Sequence, residues 1–401
     1  MKWVFERATL VKALQRVVPV INPRVTKDIL KNALFEKVSD TQVEIVATDM
    51  EIGIRIHCPA VKLEGTAKAV MPAQTLLQLL KDEVDDHVTV SLPPNNNPED
   101  QRFLVTTANL RTEIYGYSPD QVIEVPAGTI EPIFRVNAAQ FVDWLDHVKF
   151  AAAKEVQRYA IFGVYMNVSA KDFELVATDG HRLARRKSKF KTAAKENTTA
   201  ILPLPLVDKI KALLGVRPTF EEAPETEAEG AEGAAPGSQV DGKLELALSI
   251  DSRCVYMMVG DAFMWGHLVE GIYPTYEAVI PKNNRHCAIM DRMELVRSLR
   301  QAIVMTSVET RLVQFDFSKS KDHAVITGRS DAKGEAEVTI PCKFDGDQDL
   351  KIAFNPQYLI EPLAVLGSPE VKLEMDEQMK PVLLQEGKDY LYVIMPAKPF
   401  K

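Results

Sequence analysis

The sequence lacks the features that would place it in a membrane, in a disulfide scaffold or among metal enzymes. It has no apolar run of about 18 residues, the length that a membrane-spanning helix needs. Its first residues, MKWVFERATL, lack the apolar stretch of a signal peptide. Its four cysteines are scattered without CxxC spacing, so neither a zinc site nor a disulfide framework is indicated. We therefore expect a cytoplasmic protein without a metal site or a cofactor.

Motifs for catalysis are also scarce. The sequence contains no GxxxxGK[ST] phosphate loop and no GxGxxG motif followed by a helix. Asp179 and His181 are candidates for a catalytic pair, with Asp49 as a second carboxylate, but no serine, cysteine or lysine motif for a nucleophile stands near them. We expect no catalytic residues, and a metal-independent hydrolase that uses Asp179 and His181 is the alternative.

Positively charged residues are fewer than negatively charged ones. The chain has 48 Lys and Arg against 56 Asp and Glu, which gives a formal net charge of −8 at pH 7. This balance argues against a surface that is basic all over, but it allows a basic stripe with acid elsewhere.

What the sequence does contain is a threefold repeat. Leu175–Arg186 reads LVATDGHRLARR, and Ile45–Asp49, IVATD, echoes its start 130 residues earlier. Apolar residues at i, i+1 and i+4 recur at spacings of 131 and 154 residues, and this pattern predicts three amphipathic helices. Asn137 and Asp291 are natural N-caps for two of them. The three helices contain Leu10–Leu14, Phe141–Leu145 and Leu295–Leu299.

A second helix in each repeat is predicted to begin at a proline. Backbone N–H groups in the first helical turn have no acceptor within the helix, so proline, which has no N–H, loses no hydrogen bond there. These prolines are Pro72, Pro203 and Pro356, at spacings of 131 and 153 residues. Short β-strands are predicted at residues 43–46, 88–92, 173–176, 244–248, 325–327 and 371–374. Two helices and six to eight strands in about 125 residues predict α+β domains, in which helices cover one face of antiparallel sheets.

The repeat predicts three domains, at residues 1–128, 129–282 and 283–401. The longer second spacing points to an insert in the middle domain. Residues 221–243 contain six glutamates together with many Gly, Ala and Pro, and such a segment cannot bury enough surface to offset its ordering entropy. Its 23 residues equal 154 minus 131. We predict a disordered acidic insert at about 219–243, with a partner-binding tether as the alternative.

Several motifs carry a family resemblance. They are Ala177–Ala184, the pair Arg158–Tyr159 before Gly163, Tyr273–Tyr276 and Val393–Pro396. In order and spacing they closely resemble the bacterial DNA polymerase III β subunit family, the sliding clamps, from the first helix to the C-terminus. The resemblance implies a head-to-tail dimer that closes six similar domains into a ring around duplex DNA. It implies no chemistry, only tethering of the replicative polymerase.

The resemblance also implies three groups of site residues. A cleft for partner peptides is implied at Ile161, Thr178, Gly180, His181, Arg182, Leu183, Pro274, Val279, Pro381, Val393, Met395 and Pro396. DNA-facing positions are implied at Arg24, Arg158 and Tyr159, and cations on or beside the helices add Lys12, Arg16, Lys149, Lys209, Lys211, Arg297 and Arg300. A dimer interface is implied at Ile303, Val304 and an edge strand with Leu110, Thr112 and Ile114.

The implied partners are a second copy of the chain, double-stranded DNA without sequence preference, an ATP-dependent clamp loader, the polymerase α subunit, translesion polymerases and mismatch-repair proteins. The place of action would be the nucleoid in the cytoplasm. Two residues depart from the family pattern: Ala397 is small where a larger apolar residue is common, and Lys398 replaces arginine. The extra Pro399–Lys401 could fold back over the cleft. A clamp paralogue with an altered cleft is therefore a further alternative.

Overall fold

The computed structural model describes residues 1–65, 67–93, 101–121, 131–155, 160–214, 244–307 and 311–400. The predicted acidic insert and the pair Arg158–Tyr159 lie outside these ranges. The described part contains six α-helices: α1 (Arg7–Val17), α2 (Ala73–Lys81), α3 (Ala138–Lys149), α4 (Leu204–Leu213), α5 (Arg292–Ile303) and α6 (Gln357–Val365). Within the described ranges, no helix is long and apolar enough to cross a membrane.

The three predicted amphipathic helices are confirmed as α1, α3 and α5, and their apolar stripes are buried. The predicted N-caps are confirmed as well. The Asn137 Oδ1 atom accepts from the Gln140 N–H at 3.1 Å, and the Asp291 Oδ1 atom accepts from the Glu294 N–H at 2.8 Å. The second helices begin one residue later than predicted. Their prolines immediately precede α2, α4 and α6 instead of occupying the first helical position.

The described residues form 26 strands, and every strand pairing is antiparallel. The first repeat contributes β1 (Lys2–Glu6), β2 (Ala33–Ser39), β3 (Gln42–Thr48), β4 (Ile52–Pro59), β5 (Lys62–Glu64), β6 (Lys68–Met71), β7 (His87–Ser91), β8 (Gln101–Thr106) and β9 (Arg111–Gly116). The second contributes β10 (Phe134–Asn137), β11 (Gly163–Val168), β12 (Asp172–Thr178), β13 (Arg182–Lys189), β14 (Thr198–Pro203), β15 (Glu245–Ile250), β16 (Cys254–Val259) and β17 (Ala262–His267). The third contributes β18 (His286–Asp291), β19 (Val313–Phe317), β20 (His323–Ser330), β21 (Gly334–Pro341), β22 (Lys343–Asp345), β23 (Leu350–Phe354), β24 (Glu370–Met375), β25 (Val382–Glu386) and β26 (Tyr390–Ile394). Every predicted strand is present.

The chain divides into two compact units, and the sheets explain why these differ from the three repeats. Unit 1 comprises Met1–Val142 and Pro205–Leu268, and unit 2 comprises Asp143–Leu204 and Val269–Lys401. In unit 1, an eight-stranded sheet in the order β10-β15-β16-β17-β4-β3-β2-β6 joins strands of the first two repeats. In unit 2, a nine-stranded sheet in the order β14-β11-β12-β13-β26-β25-β24-β18-β22 joins strands of the last two. Each sheet therefore crosses a repeat boundary.

Each unit also has a smaller sheet and its own buried tryptophan. The smaller sheets have the orders β5-β1-β7-β8-β9 in unit 1 and β21-β20-β19-β23 in unit 2. Trp3 and Trp265 are buried in unit 1, and Trp144 is buried in unit 2. Trp265 lies against Gly53 so closely that a Cβ on that glycine would stand 1.7 Å from the ring. The pairing of β17 with β4 therefore requires a residue without a side chain at this position.

Candidate functional site

The motif Thr178–Arg182 forms a tight turn between β12 and β13. The Asp179 Oδ1 atom accepts from the backbone N–H groups of His181 and Arg182 at 2.9 and 3.1 Å. The Thr178 hydroxyl donates to the Arg182 carbonyl at 2.6 Å. Gly180 has a φ of 89°, in the left-handed region that favours glycine. The threonine, aspartate and glycine of the motif are therefore the residues that build the turn.

An apolar cluster lies beside this turn in unit 2. Leu183 on β13 pairs with Val393 on β26, and Val393 pairs in turn with Leu383 on β25. Ile161 packs in the same cluster, and all four side chains are less than 5% exposed. The structure thus brings three predicted cleft residues, Ile161, Leu183 and Val393, into one buried apolar cluster.

The segment after β17 contributes two tyrosines, Tyr273 and Tyr276, to this cluster. The Tyr273 and Tyr165 rings stack with their centroids 4.7 Å apart. The Tyr276 hydroxyl donates to the Glu174 carboxylate at 2.8 Å, and burial followed by this hydrogen bond raises the pKa of Tyr276. The predicted residues Pro274 and Val279 lie on the same segment, and Val279 is 48% exposed.

The C-terminal segment reaches the turn from the other side. The Met395 N–H donates to the His181 carbonyl at 2.8 Å, and the Met395 side chain is exposed. Beyond it, the Ala397 N–H donates to the Ala353 carbonyl at 2.8 Å, and the Phe400 N–H donates to the Gln314 side chain at 3.0 Å. The main-chain bond of Ala397 to β23 and the bond from the Phe400 N–H to the Gln314 side chain on β19 hold this segment up to Phe400.

The remaining predicted cleft residues differ in accessibility. Gly180 and His181 are exposed, Thr178 and Pro381 are half-buried, and Pro396 is buried. Arg182, which is also predicted to line the cleft, has a side chain that is only 5% exposed. The Arg182 guanidinium turns away to bind Asp179 and Glu361, and it lies over the Tyr358 ring at 4.3 Å. Glu361 is 179 positions from Arg182, so no local pattern in the sequence could have revealed this pair.

The Asp179 and His181 side chains both contact neighbouring residues of the fold. Both oxygens of the Asp179 carboxylate accept hydrogen bonds, Oδ1 from two backbone N–H groups and Oδ2 from the Arg182 Nε atom at 2.9 Å. The His181 ring lies near-parallel to the Tyr358 ring, with centroids 6.5 Å apart. Among the described contacts, none joins the Asp179 carboxylate to the His181 imidazole. This arrangement gives no support to the hydrolase alternative.

The four cysteines are all free thiols. Burial, followed by the charge of Asp261, raises the pKa of Cys58 to about 12. Burial likewise raises the pKa of Cys342 to about 11. A thiol with a raised pKa stays protonated at neutral pH and is a poor nucleophile. Within the described ranges, no group of three or more His, Cys, Asp or Glu side chains could hold a metal ion.

The predicted DNA-facing cations that the structure describes fall into three classes. Lys12, Arg24, Arg297 and Arg300 are exposed. Arg16 instead forms an ion pair with Asp261 at 2.5 Å, and Lys209 donates to the Pro19 carbonyl, so both tie elements of unit 1 together. Lys149 and Lys211 are half-buried. Only the first class presents its charge mainly to solvent.

The predicted interface residues lie at one sheet edge and one helix end. The strand with Leu110–Ile114 was expected at an edge, and β9 is the last strand of its sheet. Ile114, however, is 4% exposed and pairs with Phe103, so it belongs to the core of unit 1, whereas Leu110 and Thr112 are half-buried. At the end of α5, Ile303 is half-buried and Val304 is 60% exposed.

The fold and the site together define a protein built from repeated α+β domains, in which a buried apolar cluster lies beside a turn with ordered polar groups. Residues 1–120 match the N-terminal domain of the DNA polymerase III beta subunit, residues 135–216 match its central domain and residues 277–398 match its C-terminal domain. The chain belongs to the family of DNA polymerase III beta subunits, the sliding clamps. It is thus a processivity factor of DNA replication and not an enzyme.

Individual relatives agree along the whole chain. The beta sliding clamp of Synechocystis sp. is 24% identical over 404 residues, which cover 99% of each chain. That of Pseudomonas aeruginosa is 24% identical over 403 residues, which cover 99% of this chain and 100% of the relative. A crystal structure of the P. aeruginosa DNA polymerase III beta subunit has a TM-score of 0.84 at 22% identity, covering 99% of this chain and 100% of that one. The Thermotoga maritima beta subunit has a TM-score of 0.83 at 22% identity, covering 100% of both chains.

Proposed function

We propose that two copies of this chain join head to tail into a closed ring around duplex DNA and tether replication proteins there. The observation that carries this proposal is the match to all three family domains, in order, along the chain. The domains would be 1–128, 129–282 and 283–401, with the acidic insert at about 219–243. The ring would act in the cytoplasm, on the nucleoid.

The ring joint would form between β9 of one copy and β21 of the next. Both strands are edges of their sheets, so each presents backbone N–H and C=O groups without a strand partner on one side. Arg111 on β9 would pair with Glu335 or Glu337 on β21, all three of which are exposed, although β9 also exposes Glu113. The exposed Val304 would be buried in the joint. Pairing of two unlike edges makes the contact head to tail.

DNA would be held by diffuse attraction to phosphates. The exposed cations Lys12, Arg24, Arg297 and Arg300 are the best-placed described candidates, and Arg158 and Tyr159 remain candidates from the family resemblance. A protein that slides must avoid reading base edges, because such contacts fix its register. Non-specific contacts are individually weak, with dissociation constants of about 10⁻⁴–10⁻⁶ M. Closure of the ring would make release depend on opening of a joint.

The apolar cluster of Ile161, Leu183 and Val393 would form the cleft for partner peptides. A few buried apolar anchors supply most of the binding energy in such grooves. The exposed Met395 side chain adds an adaptable wall that suits several partners. The partners would be the polymerase α subunit, translesion polymerases, mismatch-repair proteins and an ATP-dependent loader. Tethering raises the effective concentration of the polymerase at the primer end.

The proposal is tested by retention on DNA of different topology. The purified protein is loaded onto nicked circular DNA with a surrogate clamp loader and ATP, and half of the sample is then linearised. We expect retention on circles and loss from linear molecules, because a closed ring can leave only over a free end. A known sliding clamp loaded in parallel shows that the loader works. Equal retention on both forms would overturn the ring.

A further inference from the structure

The turn at Thr178–Arg182 has a sister in the same chain. Thr48–Ile52 makes the same hydrogen bonds: the Asp49 Oδ1 atom accepts from two backbone N–H groups at 3.1 and 2.8 Å, and the Thr48 hydroxyl donates to the Ile52 carbonyl at 2.9 Å. The sister turn also accepts a strand hydrogen bond, from the His267 N–H to the Glu51 carbonyl at 2.8 Å. It forms with isoleucine where the other turn has Arg182. The arginine side chain is therefore not needed to form the turn.

The Arg182 side chain instead binds groups outside the turn. Its Nη1 atom donates to Glu361 on α6, and its Nη2 atom donates to the Phe150 carbonyl at 2.6 Å. Its guanidinium also lies over the Tyr358 ring of α6. Glu361 is held in place by Gln357, whose amide donates to its second oxygen at 3.2 Å. The arginine thus fastens the turn to α6.

The charges around Arg182 explain why its attachment of the turn to α6 depends on Glu361. Burial opposes the charged form of Arg182, but the neighbouring Tyr392, Glu361 and Asp179 outweigh this effect and raise its pKa. Asp179 lies within the turn, so its ion pair with Arg182 cannot hold the turn to another element. Glu361 is the carboxylate that supplies a charge-assisted hydrogen bond from outside, and such bonds are stronger than neutral ones.

We propose that Glu361 is a positioning residue for the peptide cleft, acting through the Arg182 guanidinium. It holds the turn against α6 and so fixes His181, whose ring lies beside Tyr358 and whose carbonyl accepts from Met395. His181 lies two residues before Leu183 and Met395 two residues after Val393, the apolar residues of the proposed cleft. This inference rests on the proposed peptide-binding function and adds a residue to it.

The test is the affinity of the full chain for a synthetic peptide with adjacent Leu and Phe anchors. We expect Glu361→Gln to weaken binding about tenfold, because the change removes a hydrogen bond between charged groups while conserving size. The matched control is Glu245→Gln, which removes the Glu245 carboxylate from an exposed pair with Arg135 in unit 1 and should leave the affinity unchanged. Thermal melts of both variants check the fold. If Glu361→Gln melts early, Gln357→Leu should still weaken binding, though less.

Two further readouts separate positioning from general destabilisation. In a double-mutant cycle with Arg182→Met, Glu361→Gln should cost no further affinity, because it acts through the arginine. The imidazole NMR signals of His181 should shift in Glu361→Gln and not in Glu245→Gln. The inference about Glu361 would be overturned if Glu361→Gln lowered peptide affinity equally with and without Arg182. It would also be overturned if a folded Glu361→Gln variant kept wild-type affinity. Neither result would contradict the proposed function. Failure of the wild-type chain to bind the peptide would overturn the proposed function instead.

Discussion

At the scale of single residues, the turns Thr178–Arg182 and Thr48–Ile52 both need a residue with positive φ, and they use different residues for it. Gly180 and Met50 occupy equivalent positions, with φ of 89° and 81°. A left-handed conformation costs an ordinary residue about 1–2 kcal/mol, and glycine escapes that cost. The turn at Thr178–Arg182 has glycine at this position and avoids the cost. The turn at Thr48–Ile52 has Met50 there, so its backbone is strained.

We expect Gly180→Ala to lower the free energy of unfolding by about 1 kcal/mol. No atom lies within 4 Å of the position that the new Cβ would take, so the loss comes from the backbone alone. Urea unfolding followed by circular dichroism measures it. The control is Gly367→Ala, since Gly367 is outside the left-handed region and its nearest neighbour is 4.0 Å away. Equal effects of the two substitutions would show that φ is not the cause.

At the scale of elements, helices were predictable and strand partners were not. The apolar pattern of α5 and its cap at Asp291 depend on neighbours within a few residues, so the sequence displays them directly. Besides its chain neighbour β16, β17 pairs with β4, about 200 residues earlier, and no local signal specifies such a pairing. The same difference applies at the site. The motif at Thr178-Asp179-Gly180 and its echo at Thr48-Asp49 were visible in the sequence, but the contact of Arg182 with Glu361 depends on how distant elements pack.

We expect Asp291→Ala to destabilise the protein by about 1 kcal/mol, because it removes the side-chain cap of α5 and leaves the Glu294 N–H without that acceptor. The repeat supplies a matched control in Glu6→Ala, at the equivalent position before α1, where no side-chain cap exists. Guanidinium unfolding of both variants compares them. A loss at Glu6 as large as that at Asp291 would contradict the role of the cap.

At the scale of the whole molecule, the proposed ring depends on Val304. We expect Val304→Glu to weaken dimerisation at least about 100-fold, since an unpaired charge buried at a joint costs about 3 kcal/mol or more. The isolated chain should fold normally, because the side chain is 60% exposed there. Analytical ultracentrifugation over a range of concentrations measures the dimer constant. Val61→Glu, at a side chain that is 55% exposed in unit 1, is the matched control. A dimer of unchanged strength in Val304→Glu would refute the joint.

The buried tryptophans have an optical consequence. Indole emission moves to longer wavelength when water reaches the ring, so each unit carries its own fluorescent reporter: Trp3 and Trp265 in unit 1 and Trp144 in unit 2. Replacing Trp144 by phenylalanine leaves emission from unit 1 alone, and comparison with the unaltered chain isolates the signal of unit 2. Unfolding of either unit can then be followed by fluorescence, without an attached dye.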